Sequence, residues 1–217
     1  MVVNTAAAIQ EVNDKAEFRR KIEGLCPVTW YDIGSVEYPA VLRPRVHAQG
    51  RRLYVCHITE DAEVAAIQCG EGWYASELIQ KVAEYRVFVA QGRAVWVAQK
   101  TPGDPEEVAW NVAQGGRFDN VRWGDWPLRV VKHAIKSMAR SKLDFGGVDV
   151  MVDGDGKPYT LEINSAPSQT SPYRQQCVAK VFDHIHIERS KNAYPLAEEP
   201  GGWRKFIHPK IGGEACI

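Results

Sequence analysis

Residues 146–167 read Gly-Gly-Val-Asp-Val-Met-Val-Asp-Gly-Asp-Gly-Lys-Pro-Tyr-Thr-Leu-Glu-Ile-Asn-Ser-Ala-Pro, and they restrict the fold more tightly than any other stretch. Val148, Val150 and Val152 alternate with Asp149 and Met151. Leu161 and Ile163 alternate with Thr160, Glu162 and Asn164. A period of two marks half-buried strands, and Asp153-Gly154-Asp155-Gly156 between them is a turn signal. The spacing predicts a β-hairpin. A symmetric loop centred on Gly154 and Asp155 places Val148 opposite Leu161 and Asp149 opposite Thr160. Glu162 then sits diagonally from Asp149 on the same face, with Asn164 beyond it. One face carries Val, Val, Val, Leu and Ile; the other presents Asp149, Glu162 and Asn164.

Two carboxylates and an amide oxygen converging on one point suit a hard cation that keeps waters and shares phosphate oxygens, as magnesium does with a nucleotide. Two plainer readings stand beside this one. The polar face can simply meet solvent. Alternatively, Asp153, Asp155, Gly156 and Glu162 have the mutual spacing of a calcium loop between helices. That loop fails at its first ligand, which is Met151, and its flanks alternate like strands.

The run Gly147-Val148-Asp149, followed by Leu161-Glu162-Ile163-Asn164-Ser165-Ala166-Pro167, resembles the C-terminal metal-binding signature of the ATP-grasp superfamily. Within it the likeness is greatest to the branch containing ribosomal-protein glutamate ligase and related amino-acid ligases. The resemblance implies an α+β fold of mostly antiparallel sheets with flanking helices, the nucleotide held between two small lobes. It implies ATP and Mg2+ as cofactors, with Mn2+ as a substitute, and Asp149, Glu162 and Asn164 as metal ligands.

Composition agrees with a compact enzyme. At 217 residues and 45% apolar, the chain can bury one substantial core, or two small lobes sharing one. Its formal net charge of zero gives no support to non-specific attraction to nucleic acid or membrane. Five scattered cysteines without a C-x-x-C pair read as reduced thiols, not as a disulfide frame or zinc site. The opening residues lack a basic segment before an apolar run, and no 18 apolar residues are consecutive. The expectation is a cytoplasmic protein.

Residues 9–23 suggest one short amphipathic helix ended by Gly24, and residues 27–31 a brief strand. Strand-like runs follow at 40–43, 51–57, 73–79, 84–91 and 93–100. The polar, basic loop between the first two resembles the flexible loop with which ATP-grasp proteins cover nucleotide phosphates. By that likeness Arg43, Arg45, Gln49 and Gly50 are nucleotide-binding candidates. The family usually has lysine where this chain has Arg43, and a guanidinium is not an interchangeable point charge.

Ala75-Ser76-Glu77-Leu78-Ile79 resembles the run that passes the adenine and offers it main-chain hydrogen bonds, which makes Glu77, Leu78 and Ile79 candidates there. Glu84-Tyr85-Arg86-Val87 resembles the segment that turns an arginine toward the reacting phosphoryl group. Arg86 is thus a catalytic and nucleotide-binding candidate; the plainer reading is an alternating strand with Arg86 in solvent. Residues 110–118 resemble an asparagine and double-glycine loop, which implicates Asn111, with Lys100 and Arg117 as positively charged residues near the phosphoryl group.

Residues 128–142 and 173–189 show helical spacing with one apolar face each, which is core packing. His184 and His186, two apart on a helix, point apart and make no metal pair. The expected organisation is a lead-in at 1–37, a nucleotide-covering lobe at 38–100, a metal-binding lobe at 101–190 and a tail at 191–217.

The resemblance implies an ATP-dependent carboxylate–amine ligase with Arg86, Arg43 and Lys100 acting on the phosphoryl group. Its substrates would be small-molecule or peptide carboxylates and amines. Only about 37 residues precede the likeness, so a homodimer mate or a separate partner would complete the substrate pocket. A regulatory nucleotide-binding module working with a partner is the alternative. A basic RNA- or DNA-binding β-domain is disfavoured by the charge balance, although Arg43, Arg45, Arg51 and Arg52 leave room for a nucleic-acid-linked substrate.

Overall fold

The alternating runs pair into two antiparallel sheets. The computed structural model describes residues 4–46, 52–70, 72–104, 108–110 and 115–193, the side chains of 185–193 excepted. In chain order the elements are α1 (Ala6–Asn13), α2 (Lys15–Lys21), β1 (Thr29–Trp30), β2 (Ala40–Pro44), β3 (Tyr54–Cys56), α3 (Thr59–Cys69), β4 (Trp73–Glu77), β5 (Lys81–Ala90), β6 (Arg93–Thr101), β7 (Arg117–Asn120), α4 (Leu128–Ala139), β8 (Phe145–Asp153), β9 (Pro158–Asn164) and α5 (Pro172–Ala193). The first sheet has the order β1-β4-β2-β3 and the second β7-β6-β5-β8-β9. The fold is α+β, as expected.

Each sheet has one face committed to helices. In the first, Ala40, Leu42, Cys56 and Ala75 pack against Ala62, Ala65 and Cys69 of α3. In the second, Val87, Val89, Val97, Val148, Val150 and Ile163 meet α1, α2 and α4 through Val12, Phe18, Val131, Ala134 and Met138. Val131 and Met138 are buried on α4's apolar stripe, each stabilising the helix–sheet contact by about 1.5–3 kcal/mol. The opposite face of the second sheet is divided. Phe88 and Trp96 lie under Cys177 and Val181 of α5, and the remainder faces the first sheet.

Several expectations are corrected here. The single helix over 9–23 is two, because Asp14 interrupts it with extended backbone and its carboxylate accepts from the Glu17 amide to cap α2. Helix α3 was not foreseen. Asp61 in its first turn accepts from the His57 and Ile58 amides and fixes its start, and only small side chains mark its buried face. Strand β7 also appears where a loop was read. The expected lobe boundary after Lys100 places β5 and β6 with the covering lobe, yet both are hydrogen-bonded into the second sheet, and sheet membership changes at residues 78–80. Strand β1, inside the expected lead-in, pairs with β4.

The hairpin forms, with a different register. Val148 pairs with Ile163 and Asp149 with Glu162, while Val150 pairs with Thr160, leaving Leu161 as the extra residue of a β-bulge. The turn is displaced from the symmetric one, with Val152 opposite Pro158. The Asp153 carboxylate accepts from the Asp155 and Lys157 amides and from the Tyr159 hydroxyl, and Gly156 supplies the positive φ of 75°. Thr160 therefore faces the core, hydrogen-bonded to Ser137 at 2.7 Å, and Leu161 leaves the apolar face assigned to it. A one-residue insertion flips the alternation, so Glu162 lies directly opposite Asp149 and not diagonally from it.

The expected tail at 191–217 lies outside the described residues from 194 onward. The four cysteines among the described residues are free and buried. Among those residues no helix is long and apolar enough to cross a membrane.

Candidate functional site

A cleft of about 910 Å³ lies between the exposed faces of the two sheets. Antiparallel pairing puts directly opposed residues on the same face, and the register of the second sheet then determines what lines it. Lys100 opposes Glu84, Arg86 opposes Asp149, Met151 opposes Glu84 and Asp149 opposes Glu162, so all of these share one face. The first sheet contributes Val41, Arg43 and Ser76, and the connection between sheets contributes Leu78 and Ile79. A third wall comes from the N-terminus through Asn13 and Lys15.

Asp149 is 3% exposed and is held by Arg86 in a two-point contact, Nε to Oδ1 at 2.6 Å and Nη2 to Oδ2 at 2.7 Å. Burial alone would lower the Arg86 pKa, but the Asp149 carboxylate more than offsets this and raises it. Phe118 lies beneath the guanidinium, 4.6 Å from its ring centre. Gly147 makes room for this. A Cβ there would stand 2.9 Å from Pro167 Cβ and 3.3 Å from Arg86 Cδ.

Glu162 receives the Lys15 ammonium at 3.1 Å on Oε2 and the Asn164 amide at 3.1 Å on Oε1. Burial would raise its pKa, but Lys15, then Asn164 and Arg86, hold it at about 2. Deeper in the cleft, buried Glu84 bridges two ammonium groups, Lys81 at 2.6 Å and Lys100. Burial lowers the Lys81 pKa, against the opposing pull of Glu84. The Lys81 ammonium also lies 4.4 Å from the Trp110 ring centre.

The donor chemistry fits magnesium. Asp149 and Glu162 sit on paired strands, each carboxylate oxygen accepts one hydrogen bond here and keeps a second lone pair, and Asn164 donates through nitrogen, which leaves its carbonyl oxygen as an acceptor. Among the described residues no group of three His, Cys, Asp or Glu side chains offers a rival metal site.

The structure brings together Arg43, Glu77, Leu78, Ile79, Arg86, Lys100, Asp149, Glu162 and Asn164 around this one cleft. Arg43 presents a buried Nε without a hydrogen-bond partner. Arg45 is not among the lining residues, because its guanidinium turns outward onto Asp14, with Nε to Oδ2 at 2.8 Å. Arg117 likewise is exposed and paired with Asp119. The Glu77 and Leu78 amides already donate to Val28 and Pro39, so a base docked there would need other main-chain groups. Gln49, Gly50 and Asn111 lie outside the described residues.

Lys15, Lys81, Glu84, Phe118 and Trp110 line the cleft without having been singled out in the sequence. For Glu84 the signal was present, two positions before Arg86 and hence on the same strand face. Lys15 had none, because its place depends on the helix break at Asp14.

Neither a family model nor a curated protein matches the sequence. Solved structures do resemble this one. The D-alanine–D-alanine ligase from Bacillus anthracis superposes with a TM-score of 0.65 at 16% identity, covering 88% of this chain and 71% of that one. The ATP-grasp ligase PsnB, complexed with minimal precursor, gives 0.59 at 13% identity over 82% and 64%. The L-amino acid ligase from Bacillus licheniformis gives 0.54 at 17% identity over 73% and 41%. The chain thus spans about three fifths of PsnB and two fifths of the amino acid ligase. At these identities the likeness establishes the fold, which is that of the ATP-grasp ligases.

Proposed function

We propose that this chain is an ATP-dependent carboxylate–amine ligase working through an acylphosphate. The observation that carries the reading is the convergence of Asp149, Glu162 and Asn164 with Arg43, Arg86 and Lys100 in one cleft between the sheets of an ATP-grasp fold. A carboxylate cannot expel oxide to an amine in water. Its oxygen would attack the γ-phosphorus of ATP and release ADP; the amine would then attack the acyl carbon, lose a proton and displace phosphate. The first step requires positioning and charge neutralisation more than covalent help from the protein.

Magnesium held by Asp149, Glu162 and Asn164 would supply charge neutralisation at the bound phosphates. Arg43 brings an unpartnered guanidinium nitrogen to the same cleft, suited to a phosphate oxygen. Arg86 is fixed by Asp149 and acts as preorganised positive charge, while Lys100 is tethered by Glu84. Neighbouring structures hold PsnB with Mg and ADP and with a precursor peptide, and by that analogy a peptide carboxylate or amine is a reasonable substrate class here. A regulatory nucleotide-binding role is favoured by one observation: Asp149 and Glu162 already hold internal cations.

Calorimetric titration of ATP with magnesium into wild type, Asp149→Asn and Glu162→Gln tests the site. The expected result is magnesium-dependent binding by wild type and its loss in both variants; no binding by folded wild type overturns the reading. ADP release that requires both a carboxylate and an amine separates the ligase from the regulatory module.

A further inference from the structure

Asp149 and Glu162 are neighbours on paired strands, but the cations they hold differ in kind. Arg86 is locked. It makes two hydrogen bonds to Asp149, lies over Phe118 and is confined by the close approach of Gly147. Lys15 is held less rigidly: its amide donates to the Arg45 carbonyl at 3.2 Å and the preceding Asp14 caps α2, while its largely buried side chain makes a one-point contact with Glu162. Its ammonium reaches Glu162 on a flexible four-carbon stem, as a point charge with three donors that can turn to another acceptor in the same cleft.

Charge balance gives this difference a consequence. Two carboxylates and two internal cations sum to zero. A divalent cation added to the carboxylates alone creates an excess of two positive charges beside the buried Asp149, which is costly where the effective dielectric is low. A polyanion arriving with it removes the excess, provided one internal cation can turn toward that polyanion.

We propose that Lys15 is the movable counter-ion of Glu162, released by a divalent metal to pair with a phosphate oxygen of the bound nucleotide, so that each of metal and nucleotide strengthens the binding of the other. This rests on the nucleotide site proposed above and assigns to it a nucleotide-contacting residue from the N-terminal helices. The displaced ammonium makes occupancy by metal depend on occupancy by nucleotide, a coupling between two ligands that is reciprocal.

The test is calorimetric titration of four samples: wild type, Lys15→Met, Lys15→Gln and Lys15→Arg. Each is titrated with Mg2+ alone, with ATP in EDTA, and with Mg2+ at saturating ATP. In wild type, ATP should tighten Mg2+ binding at least roughly tenfold, within the usual range of ligand coupling. In both neutral variants Mg2+ alone should bind several-fold tighter than in wild type, because no ammonium need be displaced. ATP should bind more weakly, and the coupling should shrink toward unity. Lys15→Arg should retain most of the coupling. A merely structural lysine would lower the melting temperature or weaken both ligands in parallel, leaving the ratio unchanged.

An unchanged coupling ratio in Lys15→Met or Lys15→Gln overturns the proposal and leaves the nucleotide site standing. Mg2+ that binds wild type equally well with and without ATP overturns it without recourse to any variant. Wild type that binds no ATP in any condition overturns both readings together.

Discussion

Arg86 and Asp149 oppose each other across the β5–β8 ladder and share two hydrogen bonds of 2.6 and 2.7 Å. Asp149 is buried and Arg86 partly so, and removing Arg86 strands the Asp149 charge. Arg86→Met is expected to destabilise the fold by about 3–5 kcal/mol in urea unfolding, and Arg86→Met/Asp149→Val to recover part of that loss because no charge then stays buried. A double variant no more stable than the single one would show that the ion pair is not what holds these strands.

Glu84 offers a second buried carboxylate, shared by Lys81 and Lys100. Glu84→Gln leaves two ammonium groups facing a neutral amide, and a loss of about 3–5 kcal/mol at neutral pH is expected. The Lys81 pKa is already lowered from 10.5 by burial, and Glu84 opposes that lowering. Without Glu84 it should fall further. A lysine with a lowered folded pKa penalises the fold while charged, and the penalty fades as pH rises from the folded pKa to the unfolded one. The deficit of Glu84→Gln should therefore shrink as pH climbs toward 10.5, followed by unfolding at several pH values.

For Glu162 the sign is reversed. Its folded pKa is lowered from 4.5 to about 2, so the stabilisation it draws from Lys15, Asn164 and Arg86 is complete above 4.5 and is lost as pH falls toward 2. Carboxyl-carbon NMR titration should place the Glu162 midpoint near 2 in wild type and higher in Lys15→Met. An identical midpoint in the two proteins would remove Lys15 as the cause.

Gly147 is the smallest residue on which the site depends. A Cβ there meets the Pro167 ring at 2.9 Å, and a ring fixed in the backbone cannot swing aside. Gly147→Ala is expected to cost about 1–3 kcal/mol as overpacking and to displace Arg86. Gly154, at the hairpin tip, has nothing within 4 Å of the corresponding position and serves as the control for which Ala should be nearly neutral.

The site was legible in the sequence where it depends on local alternation. The hairpin, its polar face and the strand bearing Arg86 all follow from a period of two. The register was not legible, because the length of the Asp153 turn is set by three hydrogen bonds to one carboxylate and the bulge at Leu161 has no compositional mark. Arg45 was misplaced for a related reason. Its basic character said nothing about Asp14, its partner 31 residues earlier in the chain. Helix α3 is not legible because its buried face is built from Ala62, Ala65 and Cys69, while Val64 and Ile67 point outward.

The contact of Arg45 with Asp14 and with the Lys15 amide has a mechanical meaning. The two sheets are joined covalently at residues 78–80, and Arg45, at the end of the first sheet, is pinned to helices that pack on the second. Tyr31 adds a further tie, its hydroxyl donating to the Ala16 carbonyl at 3.1 Å. Besides the covalent connection, the two sheets are thus tied through Arg45 and through Tyr31. The Arg45 tie is an exposed ion pair, of the kind that salt weakens. Salt that weakens this pair therefore loosens one of the ties between the two sheets without touching the cleft itself.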